Sequence, residues 1–484
     1  MRAFALITCV LAGLLLPQAA HADPLPSGAT VSFNVNLITV LAATGRSNDL
    51  VVSRDATGWW VSEAGPLSLS AGTGCAHVSG YSTGTVRCPL AATNVRVNLG
   101  DRDDELTVTG NIRTDALGGD GNDVISGGPG QDLIDGGFGA DVLNGGSGLD
   151  TVTYQTRTAS VRASNDGVTG DDGQSGEGDT IATDVENLWG GSGWDTLYGN
   201  DQVNWLYGLD GWDTLYGRGG NDRLDGGDGN DTLDGGAGAD DLQGANDNDT
   251  ADYSARTAAV TVSLDGVAND GESGEADSVS VNTENVRGGN GDDVISGTSV
   301  RNILRGGPGD DWLFGYGDDD SLLGEAGGDN LFGGDGNDWL PGDAPGTVVG
   351  TDHLNGGAGV DSTTYEGRTV AVFVLLDGVA NDGQYGETDQ ILAVETVTGG
   401  NGGDILVGGP GAETLSGGNG NDYLDGSGGA DVLRGGSGND TIYGLDGDDS
   451  LDGGTGVDDL DGEAGSDRCE AADGGYRAGC ELGL

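Results

Sequence analysis

From residue 118 onward, single aliphatic residues recur every nine positions, each flanked by polar neighbours and set apart by a glycine- and aspartate-rich stretch. GGDGNDVIS (118–126) runs without a gap into GGPGQDLID, GGFGADVLN and GGSGLDTVT, units of the form GGxGxD followed by x-aliphatic-x. Position eight is held by Ile125, Ile134, Leu143, Leu197, Leu233, Leu331 and Leu424. This period predicts a stack of short parallel strands joined by tight acidic turns, with one apolar side chain per strand pointing into a thin core.

The repeats fall into four runs, 118–153, 190–252, 288–364 (interrupted around Gly342 to Gly346) and 399–470. Between them lie three mutually similar segments, 154–189, 253–287 and 365–398, each opening on Tyr-x-x-Arg-Thr and returning to GG through an acidic loop. Their lengths, close to four units, predict enlarged coils that keep the stack going. Arg157, Arg256 and Arg368 are expected to pair with the acidic loops of their own segments. Residues 23–117 alternate β-rich runs with Gly, Ser and Asn, which predicts an N-terminal β module leading into the solenoid. GDRDDELTV (100–108) already has the repeat's rhythm, with Glu105 in the acidic position.

Composition narrows the options. A 484-residue chain with 99 glycines and 5% aromatic residues does not build ordinary layered cores, whereas a repeat architecture accommodates both. The net charge of -61, from 80 acidic against 19 basic residues, argues against nucleic acid or an anionic membrane surface as partner. It also sets carboxylates against each other in any compact state, so folding calls for a neutralising hard cation.

Residues 1–22 read as a signal peptide, with Arg2, an apolar run from Ala3 to Leu16 and Ala20-His21-Ala22 at the cleavage site. The expected product is secreted, with no membrane span in the mature chain. It keeps Cys75, Cys88, Cys469 and Cys480; short loop closure favours the two local pairs, the second closing a C-terminal cap at 471–484.

Each unit supplies chemistry suited to a hard cation. The early glycines let the chain turn tightly and aim carbonyl oxygens inward, and Asp at position six adds a carboxylate. Two units make one coil, so carboxylates two units apart, such as Asp123 and Asp141 or Asp213 and Asp231, stack on one edge. Oxygens from both turns suit the six to eight ligands of calcium better than the octahedron of magnesium.

These repeats resemble those of the RTX family, the hemolysin-type calcium-binding nonapeptides, and the whole chain resembles secreted actinobacterial-type calcium-binding proteins. The resemblance implies an all-β, right-handed parallel β-roll (a β-solenoid) over 118–470. It also implies several Ca2+ ions, each held by position-six Asp and backbone carbonyls of alternate turns. By matching position the ligands are Asp123, Asp132, Asp141 and Asp150 in the first run, and Asp195, Asp213, Asp222, Asp231, Asp240 and Asp249 in the second. The third run offers Asp293, Asp311, Asp320, Asp329, Asp338, Asp352 and Asp361, and the fourth Asp404, Asp422, Asp431, Asp440, Asp449 and Asp458. Asn204, Asn302 and Glu413 replace the key Asp, which predicts weaker or empty sites there.

Catalysis is not expected. His77 and His353 read as surface histidines, HExxH is absent, and no nucleophile elbow on a strand-to-helix turn is visible. Trp194 and Trp212, and Tyr198 and Tyr216, share repeat positions and should stack along one face; a ladder that stiffens the coil is the favoured reading, a sugar-binding stripe the alternative. The expected role is calcium binding by a non-enzymatic structural or interaction protein. Two alternatives stand beside it: a calcium-dependent carbohydrate-binding or adhesive protein with a glycan or cell-envelope partner, and the carrier domain of a lost enzyme.

Overall fold

The structure, a computed structural model, describes residues 30–34, 36–63, 70–78, 84–344, 350–470 and 475–481; the expected signal segment lies outside the described residues, as does part of the expected cap. Among the described residues every regular element is a strand. Each nine-residue unit contributes one strand, and successive units alternate between two sheets. Val124–Gly128 therefore pairs in parallel with Val142–Gly146, one coil later, which sets Ile125 against Leu143. On the other sheet Leu133–Phe138 pairs with Thr151–Thr153, setting Ile134 against Val152.

Alternation along so short a strand turns one side chain inward, and that side chain is position eight. Ile125, Ile134, Leu143, Leu197, Leu233, Leu331 and Leu424 are all fully buried. Each contributes about 1.5–3 kcal/mol by leaving water. The core is one residue deep from each face, so the acidic turns on either edge are never far from it.

The N-terminal module joins the roll without a break. Its two hairpins, Thr30–Asn34 with Leu37–Leu41 and Asp49–Asp55 with Gly58–Glu63, are antiparallel. Leu37–Leu41 then pairs in parallel with Asn94–Asp101, and Asp49–Asp55 with Glu105–Val108, so each hairpin starts one sheet of the roll. The expected register of this first coil is corrected by one residue. Leu106 pairs with Ile125, which leaves Glu105 exposed opposite Val124 and puts Asp104, buried, in the acidic position.

The three long segments are enlarged coils, as their lengths imply, and each also splices the stack. At the first, the sheet containing Val142–Gly146 ends on Thr180–Ile181, a new sheet opens with Val161–Ser164 paired to Thr196–Tyr198, and the opposite sheet runs through from Thr151–Thr153 to Asn187–Trp189. The second and third repeat this pattern, opening new sheets at Val260–Ser263 and Val372–Leu375.

Both expected disulfides are present, Cys75–Cys88 and Cys469–Cys480. Cys469 takes the core position next to Leu451 and is buried. Beyond it Tyr476–Ala478 adds a last parallel strand against Asp459–Asp461.

Candidate metal centres along the roll edges

The turn geometry starts with glycine. In the unit preceding Asp231, Gly227 and Gly229 hold φ of 112° and 128°, a region that side chains resist. The first glycine of each unit has a different reason. A Cβ on Gly208 would run into both Asp213 Oδ2 and the Gly226 carbonyl oxygen, and one on Gly217 into Asp222 Oδ2 and the Gly235 carbonyl. These turns thus draw a carboxylate oxygen and a carbonyl of the next coil into a space only glycine leaves open.

The carboxylates form ladders. Asp123 N–H donates to Asp141 Oδ1 (2.8 Å), Asp213 N–H to Asp231 Oδ1 (2.7 Å) and Asp422 N–H to Asp440 Oδ1 (2.9 Å), each across one coil. That bond uses one oxygen. The second oxygen is buried and has no hydrogen-bond donor in Asp123, Asp132, Asp141 and Asp150, in Asp213, Asp222, Asp231, Asp240 and Asp249, in Asp311, Asp320, Asp329, Asp338 and Asp361, and in Asp422, Asp431, Asp440, Asp449 and Asp458. An acceptor left alone out of water costs about 1–3 kcal/mol, more if charged. Burial accordingly drives the acids upward, Asp213, Asp222 and Asp249 each to about 8, against the backbone N–H bonds that pull the other way. Asp352, more deeply buried and next to Asp389, is pushed to about 9.

Asp195, Asp293 and Asp404 differ. Each opens a run, and each has its second oxygen bonded by a turn N–H, from Gly191 (2.5 Å), Gly289 (2.6 Å) and Gly400 (2.6 Å). The facing positions in the same first coils are Asn204, Asn302 and Glu413. The asparagine amides complete their own bonding, Asn204 Nδ2 donating to the Glu186 carbonyl (3.0 Å) and Asn302 Nδ2 to that of Glu284 (2.7 Å). The first coils at Asn204 and Asn302 therefore demand less from a cation than the coils that follow, whereas Glu413 keeps a buried Oε2 without a donor.

The ladders continue through residues the repeat pattern does not mark. Asp141, Asp240 and Asp352 donate their N–H groups to Asp179, Asp277 and Asp389 inside the enlarged coils, at 2.9, 2.9 and 3.0 Å. Asp150, Asp249 and Asp361 donate to Glu186, Glu284 and Glu395, at 2.8, 2.9 and 2.9 Å. Asp104 extends one ladder toward the N terminus, and Asp467 closes another at the C terminus. The recurring GEGD, GEAD and GETD and the Glu of VENL, TENV and VETV were the signals available in the sequence.

Inside the enlarged coils the three ladder aspartates have their second oxygen satisfied by a tyrosine. Tyr154 OH donates to Asp179 Oδ2 (2.9 Å), Tyr253 OH to Asp277 Oδ2 (3.2 Å) and Tyr365 OH to Asp389 Oδ2 (3.0 Å). The arginines pair as expected, Arg157 with Glu177 (3.2 Å), Arg256 with Glu275 (3.7 Å) and Arg368 with Glu387 (2.9 Å). Arg368 reaches Asp343 as well (2.6 Å).

Among the described residues no group of three or more His, Cys, Asp or Glu side chains converges as a metal cluster. A site here draws at most on the carboxylates of stacked turns, and its other ligands are backbone carbonyls. That donor set, all oxygen and mostly uncharged, fits a large hard divalent cation.

A parallel solenoid whose turns collect carboxylate and carbonyl oxygens at a fixed period defines a class of repeat protein built to take up cations. The chain carries RTX calcium-binding nonapeptide repeats: the family model for the repeat in four copies matches residues 117–152, 189–224, 216–251, 283–299, 287–322, 296–331, 305–340, 398–433 and 434–469. The matched stretches leave out most of each enlarged coil. No curated protein matches the chain.

Proposed function

We propose that this chain is an extracellular, non-enzymatic structural or interaction protein whose repeats take up several calcium ions and fold on them. The observation that carries the reading is the row of buried Asp Oδ2 atoms without a donor, several of them, Asp213 and Asp222 included, facing a carbonyl across a glycine gap. Asp Oδ2 atoms such as those of Asp213, Asp222 and Asp231, with the carbonyls of Gly226, Gly235 and their equivalents, would hold the metal. When bound, calcium supplies positive charge and several oxygen contacts at once. The chain's own contribution is orientation: the N–H to Oδ1 bond fixes each carboxylate, and the core aliphatic two residues later anchors the turn.

For sites with Kd of about 0.1–1 mM, millimolar calcium contributes roughly 0.4–1.4 kcal/mol per site. About ten such sites rival the whole stability of an ordinary domain. Two disulfides and the expected signal peptide support an oxidising, extracellular setting. No helix among the described residues is long and apolar enough to cross a membrane. A second reading, calcium-dependent carbohydrate binding, draws support from the exposed stack of Trp194 and Trp212.

The test is a calcium titration of the mature protein followed by circular dichroism, with bound metal counted by native mass spectrometry. A cooperative gain of β signal together with several bound ions is expected. A spectrum indifferent to calcium, or fewer than two bound ions, overturns the reading.

A further inference from the structure

The repeat position just before the ladder aspartate in many units carries a polar residue that bonds to the same position one coil on. Asn439 N–H donates to Asn421 Oδ1 (2.7 Å), and Asp310 N–H to Asp292 Oδ1 (3.1 Å). After the first enlarged coil this position holds Trp194 and Trp212 instead, and their rings stack at 5.2 Å and 6°. Tyr198 and Tyr216 stack beside them at 4.9 Å, with the guanidinium groups of Arg162 and Arg218 over Tyr198.

The scaffold does not require this arrangement, because the molecule contains the same enlarged coil three times. At the position of Trp194 the later coils place Asp292 and Gly403, and at that of Arg162 they place Thr261 and Phe373. Those coils keep the same tyrosine, arginine and carboxylate bonds. The aromatic pair is an addition that follows only the first of the three enlarged coils.

Trp212 covers one face of Trp194. Trp194 is nonetheless 63% exposed, and it lines a cleft of about 480 Å³ between Ser160–Arg162 and the loop from Gly170 to Gly178; Trp212 does not line it. The loop is already set: Glu177 N–H donates to the Gln174 carbonyl (3.0 Å), Gln174 N–H to Glu177 Oε2 (3.0 Å), and Arg162 Nη1 holds Asp171 through its carbonyl (3.0 Å) and Oδ2 (3.2 Å). A flat apolar surface thus meets a carboxylate, an amide and a guanidinium in one open groove.

The chemistry of the groove selects a ligand. The charge of -61 repels polyanions. A pyranose ring offers one face of weakly positive C–H groups to the negative π face of an indole, and a rim of hydroxyls to bidentate polar side chains. We propose that the Trp194 cleft binds a neutral polysaccharide, one sugar ring lying on the free indole face and its hydroxyls bonded by Asp171, Gln174 and Arg162. The proposal deepens the carbohydrate-binding reading above; it needs the roll folded, and it does not need calcium to be what drives the folding.

The experiment uses the full mature chain in millimolar calcium, its fold checked by circular dichroism. Cellulose, starch, mannan, xylan and chitin are tested for depletion of the protein, alginate serves as the anionic counter-probe, and a hexasaccharide of whichever binds is titrated by tryptophan fluorescence. At least one neutral glycan should retain the protein, and Trp194→Ala should weaken it by about ten-fold or more. Gln174→Ala should weaken it less, and Trp312→Ala, an exposed tryptophan in a later run, should leave it unchanged. Because Trp194 packs into no core, its removal should not disturb the spectrum. Retention by none of the neutral glycans, retention by alginate alone, or equal binding by Trp194→Ala overturns the proposal. A spectrum that does not change between calcium and EGTA sinks the calcium reading instead, and the glycan result stands or falls separately.

Discussion

Asp213 and Asp179 occupy the same kind of place, a buried carboxylate in a ladder that accepts an N–H from the preceding coil. They differ in the other oxygen. In Asp213 it has no donor, and burial pushes the acid to about 8; in Asp179 it accepts from Tyr154, and the rise stops at about 6. Asp179, Asp277 and Asp389 of the enlarged coils each take a tyrosine donor, whereas most ladder aspartates of the nonapeptide runs leave the second oxygen open to something from outside. On the proposed reading, the difference separates the part of the molecule that takes up metal from the part that splices those blocks together.

The comparison breaks most completely if metal proves irrelevant to the runs. In EGTA the mature chain should lose most of its β signal, and magnesium at a concentration equal to that of calcium should restore much less of it, since the smaller ion holds its water and wants strict octahedral geometry. Equal rescue by both ions, read by circular dichroism, would refute the size argument.

The next effect concerns protons. Burial pushes carboxyls such as those of Asp213, Asp222 and Asp329 up from the ordinary aspartate value of 3.8 to about 8 when no metal is bound. The folded form therefore binds more protons, so its metal-free stability is greatest below about pH 4 and falls as pH rises toward 8. In EGTA the β signal should be stronger at pH 5 than at pH 8. Calcium competes with those protons, so the midpoint of a calcium titration should move to lower concentration over the same rise in pH. A midpoint indifferent to pH would mean that these acids are not the ligands.

Within the runs, Asp231→Ala should cost more bound calcium than Asn204→Ala, up to two ions, because each turn serves two neighbours on its edge and Asn204 carries no charge. Native mass spectrometry that finds equal losses would contradict the register described above. On the other side of the comparison, Tyr154→Phe leaves Asp179 Oδ2 buried without its donor and should destabilise the first enlarged coil by about 1–3 kcal/mol, measured by denaturant unfolding in saturating calcium. The count of bound calcium should stay the same; a fall would show that this coil, too, holds metal.

The runs were legible from the sequence because their signals are local. Position-eight aliphatics and position-six aspartates sit in one nine-residue window, and the structure buries both as the period requires. The first coil was misread because Asp103, Asp104 and Glu105 offer three acids in a row, and only the pairing of Leu106 with Ile125 selects Asp104. In the enlarged coils the obstacle is distance. Asp179 joins the ladder by bonding Asp141 N–H across 38 residues and Tyr154 across 25, and nothing within its own window announces either contact. The expected arginine pairs could be read from the segments because each Arg and its Glu belong to a motif that occurs three times.

Two units per coil also give the molecule a parity. Inserting or deleting a whole coil would change the length by about one strand spacing, 4.8 Å, and leave both ends facing as before. Inserting a single nonapeptide would move every downstream strand to the opposite sheet, turning the Trp194 side of all later blocks through half a revolution relative to the N-terminal hairpins. Length can change by whole coils without turning the later blocks, whereas a change by an odd number of units reverses them.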